Sequence, residues 1–217
     1  TNPWADVKES VAVGNNLYFV AAENNSPNLD LWKSNGTSNG TIRLAGLGPS
    51  DNLPRQLTNV NGTLYFRGYS AAEGFELWKS TGTTAGTTLV SDLRPGKISS
   101  TLTDLTNVNG TLFFSGNGDL FKSDGSAAGT LRVKDVNVGA RDEAANLLQV
   151  GNTLFFTVQI PDGGTVLYRT NGTRAGTTVV HGATRGPVTD LTKVGPELYF
   201  VANTKELWRV NEAGTKK

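Results

Sequence analysis

The sequence predicts an all-β fold, a five-bladed β-propeller of four-stranded antiparallel blades. Three observations carry that expectation. A phrase recurs along the chain: DLWKSNGTSNGT at 30–41, ELWKSTGTTAGT at 76–87, DLFKSDGSAAGT at 119–130, VLYRTNGTRAGT at 166–177 and a shortened ELWRVNEAGT at 206–215. A second phrase tracks it. LYF stands at 17–19, 64–66 and 198–200 and LFF at 112–114 and 154–156, with spacings of 47, 48, 42 and 44 residues. A period of roughly 40–50 residues belongs to propeller blades. Finally, no segment shows the 3.6-residue apolar period of a helix.

Residues 54–93 show how one unit is built. PRQLTNV reads as a first, inner strand. Asn61-Gly62 is a two-residue hairpin signal, and TLYFRG reads as the second strand. Leu64, Tyr65 and Phe66 make that strand apolar on both faces, as expected where a small sheet packs between two others. SAAEG reads as a loop, FELWKS as the third strand, TGTTAG as a turn and TTLVSDL as the fourth strand.

The recurring phrase is therefore the hairpin from third to fourth strand. Successive strand residues point to opposite faces. Leu31, Leu77, Leu120, Leu167 and Leu207 should face one neighbouring blade, and Trp32, Trp78, Phe121, Tyr168 and Trp208 the other. These aromatics are the structural core of the repeat, since they sit mid-strand at a repeated position. In the turn, Asn35, Asp124 and Asn171 suit Asx-turns. Gly36, Gly82, Gly125 and Gly172 suit the positive φ that such a turn needs. The second glycine, Gly40 in the first repeat, lets the chain re-enter as a strand.

These phrases resemble those of the ELWxxDGT-repeat family, found in large secreted or surface polypeptides of bacteria, over almost the whole chain. The turn also resembles the Asp-box hairpins of other propellers. Only the third repeat keeps the Asp of the DGT element, at Asp124, and the fifth departs most, at Asn211-Glu212. The family resemblance implies a propeller outside the cell, with no catalytic activity and no defined ligand.

The expected organisation is one domain over 1–217, with blades near 8–47, 54–94, 101–137, 144–182 and 187–217. Trp4-Ala5-Asp6-Val7 resembles the fourth-strand segments Val90-Ser91-Asp92-Leu93 and Val133-Lys134-Asp135-Val136. Residues 2–7 are thus expected to complete the last blade as its outer strand and join the chain ends.

Composition narrows the function. Twenty Lys and Arg stand against nineteen Asp and Glu, so no electrostatic footprint for nucleic acid is present. No apolar run approaches the ~20 residues of a membrane-spanning helix. Cysteine is absent, which excludes disulfides, thiolate metal sites and a cysteine nucleophile. Methionine is absent too, position 1 included, as expected of a trimmed or processed chain. No calcium-loop spacing is present, and neither metal nor cofactor is expected.

A polar position recurs four residues before the Val that ends each inner strand: Glu9, Gln56, Asp104, Asn146 and Asp190. Such a ring at a channel mouth could bind a cation or sugar hydroxyls. It could equally cap strand ends and bond neighbouring backbone. Tyr69, read as a residue of the loop between second and third strands, is a candidate ligand platform. Those loops vary most between repeats. Lys33, Lys79, Lys122, Arg169 and Arg209 follow the aromatic, suited either to anions or to ion pairs with acids such as Asp92 and Asp135. All but one of the N-x-S/T sequons are the NGT of turns, which turn chemistry explains. His181 is the only histidine and has no nucleophile motif beside it. A glycosidase would need paired carboxylates in one asymmetric site, whereas the chain is self-similar. The expectation is a non-catalytic, secreted or cell-surface binding module, lectin-like and multivalent, taking carbohydrate. The alternative is a protein–protein scaffold or a spacer in a large surface protein.

Overall fold

The computed structural model describes residues 4–23, 28–46, 55–136, 143–160, 164–184 and 187–214. Among them lie nineteen strands and no helix, in five antiparallel sheets. The first sheet holds β1 (Trp4–Val13), β2 (Asn16–Glu23), β3 (Asp30–Ser34) and β4 (Ile42–Ala45). The second holds β5 (Arg55–Val60), β6 (Thr63–Ser70), β7 (Gly74–Ser80) and β8 (Thr87–Ser91). The third holds β9 (Leu102–Val108), β10 (Thr111–Gly116), β11 (Asp119–Ser123) and β12 (Leu131–Lys134). The fourth holds β13 (Glu143–Val150), β14 (Thr153–Gln159), β15 (Thr165–Thr170) and β16 (Thr178–Thr184). The fifth holds β17 (Val188–Val194), β18 (Glu197–Ala202) and β19 (Glu206–Asn211). Strands are hydrogen-bonded in chain order within each sheet. The fold is β-propeller-like.

Local sequence fixes the hairpins. Asn61-Gly62 takes φ of 50° and 83°, and Asn109-Gly110 takes 49° and 83°. Both central residues are then left-handed, the geometry that matches strand twist in a two-residue hairpin.

Neighbouring sheets pack face to face, and the two faces of each sheet have different jobs. Tyr18, Val20, Leu31 and Leu44 of the first sheet meet Leu64 and Phe66 of the second, with Trp78 packed alongside. Tyr65, Leu77 and Val90 meet Leu112 and Phe114, alongside Phe121. Phe113, Leu120 and Val133 meet Leu154 and Phe156, alongside Tyr168. Phe155 and Leu167 meet Leu198 and Phe200, alongside Trp208. The third-strand Leu thus faces the following sheet and the third-strand aromatic the preceding one, as the alternation requires. Each fully buried Leu or Phe contributes roughly 1.5–3 kcal/mol.

The chain ends depart from expectation. Trp4 pairs with Glu23 and Ala5 with Ala22, inside the first sheet. These residues extend β1 past a bulge instead of adding a fourth strand to the last sheet, which keeps three strands among the described residues. Continuous pairing with β2 uses backbone groups already adjacent, whereas the expected route needed a crossing of the whole blade. Residues 2 and 3 and residues 215–217 lie outside the described residues. Burial agrees with open ends. Leu207 is 73% exposed, whereas Leu31, Leu77, Leu120 and Leu167 at the same repeat position are fully buried. Val194 is 56% exposed, against 0–6% for Val13, Val60, Val108 and Val150. At the other end Leu17 is 46% exposed, although Phe19 and Trp32 deeper on that face are buried.

The turn glycines carry two constraints at once. Gly36 and Gly125 both have a φ of +91°. A Cβ on Gly36 would point into open space, whereas one on Gly125 would strike the Tyr65 hydroxyl of the preceding sheet. Gly36→Ala should therefore cost only the backbone strain, about 1 kcal/mol or somewhat more, while Gly125→Ala costs that plus displaced packing. Urea unfolding of the two variants should rank them in that order.

Candidate functional site

The five residues of the expected ring lie near one repeated feature, a β-bulge in the inner strand. Register shifts occur in all five inner pairs. Gln56, Asp104, Asn146 and Asp190 take φ of 63°, 56°, 54° and 55°. Left-handed backbone at a residue other than glycine favours Asn and Asp, which explains Asp104, Asn146 and Asp190 but not Gln56. Two residues on, the Thr58, Thr106 and Thr192 hydroxyls donate to the carbonyls of Gln56, Asp104 and Asp190 at 3.0, 2.7 and 3.1 Å.

The bulges also tie sheets together. Glu9 accepts the backbone N–H of Gln56 at 3.1 Å and of Leu57 at 2.7 Å. Asp104 accepts the N–H of Asn146 at 3.0 Å. The Asn146 amide donates to the Thr157 hydroxyl at 2.9 Å. Asp190 accepts the Thr189 hydroxyl at 3.1 Å. Two of the three ring carboxylates therefore hold the next sheet, and Asp190 is exposed. Where the inner strands β13 and β17 diverge, a cleft of about 380 Å³ opens. Asn146, Thr189 and Asp190 give it polar groups, and Leu147, Leu148, Val188 and Leu191 an apolar lining.

The recurring phrase proves to be a hydrogen-bonding programme. Asn35, Asp124 and Asn171 accept the N–H two residues on at 3.0, 2.8 and 3.0 Å, as Asx-turns do. The Ser126 hydroxyl and then its N–H hold the Asp124 carboxyl below its ordinary pKa. The second glycine has a reason beyond chain re-entry. A Cβ at Gly40, Gly129 or Gly176 would overlap the Asx side chain itself. Hydroxyls across the hairpin pair at 2.7–2.8 Å: Ser34 with Thr41, Ser80 with Thr87, Ser123 with Thr130 and Thr170 with Thr177. The S/T that precedes the turn and the T that closes each phrase were the signal for these pairs.

The acid that opens the phrase pins the outer strand. Asp30 binds Arg43 at 2.7 Å and Asp119 binds Arg132 at 3.0 Å. Asp119 also accepts the N–H of Val136 at 3.0 Å. Glu76 is fully buried and accepts the Leu93 N–H at 2.9 Å and the Ser100 hydroxyl at 2.7 Å. The base closing the strand reaches across to the next sheet. Lys33 donates to the Gly82 carbonyl at 2.7 Å and Lys79 to the Gly125 carbonyl at 2.8 Å. These lysines cap a neighbouring turn instead of pairing with Asp92 or Asp135. Asp135 pairs with Arg132 at 3.1 Å.

The remaining candidates divide clearly. The third-strand aromatics stack on the second-strand Phe of their own sheet: Phe121 on Phe114 at 5.6 Å, Tyr168 on Phe156 at 5.3 Å and Trp208 on Phe200 at 6.5 Å. Trp32 is buried and donates to the Ala21 carbonyl at 3.2 Å. Tyr69 lies in β6 and not in a loop, opposite Phe75 and edge-on to it at 5.2 Å. Pairing of Tyr69 with Phe75 and of Ser70 with Gly74 runs the hairpin further than the sequence suggests, leaving a three-residue turn at 71–73. His181 is buried, edge-on to Phe200 and Trp208 at 5.6 and 5.0 Å. Among the described residues, no group of three or more His, Asp or Glu is placed to hold a metal.

No protein-family model matches the chain, and no curated protein does. Solved structures resemble it in fold alone. Oligopeptidase B from Leishmania major superposes with a TM-score of 0.62 at 10% identity, over 98% of this chain and 33% of that one. Puromycin hydrolase gives 0.59 at 13% identity, over 94% and 33%. The computationally designed Ika8 protein gives 0.55 at 13% identity, over 98% and 60%. The chain thus spans a third of the length of the two hydrolases and three fifths of the designed protein.

Burial pushes the Glu76 carboxyl above its ordinary pKa, against the opposing hydrogen bonds from Leu93 and Ser100. Its folded pKa exceeds the unfolded value of about 4.3, so the folded state binds more protons. Stability from this group is greatest below the unfolded pKa and is lost as pH rises through the folded one. Glu76→Gln should remove that decline. Wild type and variant unfolding profiles compared upward from pH 4 should diverge in the variant's favour.

Proposed function

We propose that the chain is a five-bladed β-propeller of the ELWxxDGT-repeat type, each sheet being one blade and the last having three strands among the described residues. In this reading it is a non-catalytic binding module of a secreted or surface bacterial protein, and its ligand is carbohydrate. The cleft between β13 and β17 is the observation that carries the reading. It sets an amide, a hydroxyl and a carboxylate around an apolar lining. Sugars offer hydroxyl edges and apolar ring faces, and such a site suits both. The repeated residues support the reading by exclusion, since most of them are spent on turns, clasps and core. Recognition then falls to side chains that differ between sheets. Among the described residues Glu9 and Asp104 bond a neighbouring sheet and Asp190 does not, so the ring leaves one carboxylate outside such bonds and offers no acid pair of the glycosidase kind.

A protein scaffold is the second reading. The exposed Val194 and Leu207 on the outer face of the last sheet favour it, because an apolar patch there suits a macromolecular partner.

A glycan-array screen followed by calorimetry decides between them. The carbohydrate reading predicts a hit with a stoichiometry of about one per chain, weakened at least roughly tenfold by Asp190→Ala, since that carboxylate bonds the ligand directly. An array without hits, together with capture of one protein partner that Leu207→Lys abolishes, supports the scaffold.

A further inference from the structure

The second sheet carries a pair of guanidinium groups that the repeat does not need. Arg55 on β5 and Arg67 on β6 stand directly opposite each other in the antiparallel register. Directly opposed side chains lie on one face as near neighbours, and like charges there repel. No ion pair or hydrogen bond joins either guanidinium to any described residue. Arg67 is half-buried, and its Nε is buried with no acceptor. Glu76 acts on Arg67 through space, but its carboxylate oxygens are spent on Leu93 and Ser100.

The cationic pair has a built floor. The Arg67 guanidinium lies 3.7 Å over the ring of Phe75. Tyr69 braces that ring edge-on from across the hairpin. Stacking of this kind fixes the plane of a guanidinium while leaving its N–H edge open. At the Arg67 position the other four sheets place Val20, Ser115, Thr157 and Val201, so an arginine is not required for packing. Burial and the neighbouring Arg55 both disfavour the Arg67 charge. An uncompensated cation pair is costly, and an anion set between the two forks would offset that cost.

The geometry points to a carboxylate-binding subsite formed by Arg55 and Arg67, with Tyr69 and Phe75 as its aromatic wall, whose ligand is an acidic sugar of the uronic acid class. Guanidinium binds carboxylate through paired, charge-assisted hydrogen bonds, and the aromatic wall suits the apolar face of a pyranose ring. The sugar part of the assignment rests on the carbohydrate reading above. The anion part rests on the two arginines alone.

The test uses oligogalacturonate and its methyl ester, which share every sugar contact and differ in charge. Calorimetry should show the acid binding at least about tenfold more tightly than the ester, with Arg67→Val and Arg55→Gln each removing most of that preference. Arg67→Val should also raise Tm, because it removes a repelled, partly buried charge. Equal affinity for acid and ester overturns the subsite and leaves the carbohydrate reading standing. Arginine Nε–H resonances titrated with acetate, a carboxylate without a sugar ring, separate the remaining case. A shift confined to Arg67 and Arg55 with neither oligomer bound upholds the anion site and ends the sugar assignment. No shift and no binding overturns the subsite outright, and a lower Tm for Arg67→Val assigns the arginine to packing.

Discussion

Everything in this molecule depends on sheets packing against sheets. A three- or four-stranded antiparallel sheet of short strands has little stability by itself. Each of the three middle sheets is clamped because the Leu and two aromatics of its second strand go alternately into the two adjacent cores. The third-strand Leu and aromatic repeat the arrangement one strand further out. Hydrophobic burial supplies the drive, and the polar residues supply the register. Glu9 and Asp104 on the inner strands, and Lys33 and Lys79 further out, each bond backbone of the following sheet. A sheet is thereby held at several radii, which fixes its angle to the next.

The same economy explains why the repeated residues make a poor guide to function. The Asx residue serves its own turn, the opening acid serves the outer strand, and the basic residue serves the neighbouring turn. Binding capacity is left to positions where one sheet differs from the others. Arg67, where the other sheets carry Val, Ser or Thr, is such a position. So is Asp190, which bonds no neighbouring sheet among the described residues, whereas its equivalents Glu9 and Asp104 each clasp the following one.

Much of this was legible in the sequence. Asn61-Gly62 announced its hairpin, the NGT and DGS turns announced theirs, and the alternation of Leu77 and Trp78 gave both faces of β7 correctly. What escaped had physical reasons. The ring residues read either as a ligand site or as partners of neighbouring backbone, because their types are polar and their spacing regular; that four of them share a left-handed bulge depends on backbone geometry and was not legible. Tyr69 read as a loop residue because Ser70 to Gly74 looks like a turn throughout, whereas cross-strand pairing carries the hairpin up to a turn of only three residues. Joining of the chain ends was inferred from likeness between Trp4–Val7 and other outer strands. A local match of that kind cannot outweigh continuous pairing with β2. Arg55 and Arg67 lie twelve residues apart and become a pair only through the register of β5 and β6.

The central claim is that the third-strand Leu stabilises the fold through the sheet that follows it, and not through its place in the motif. Leu77 and Leu207 hold the same place; one is fully buried and the other 73% exposed. The direct measurement is the unfolding free energy of Leu77→Ala and of Leu207→Ala at a concentration where the chain is monomeric. The account predicts a loss of about 2–5 kcal/mol for the first and a change within about 0.5 kcal/mol for the second. Equal losses at the two positions would contradict it.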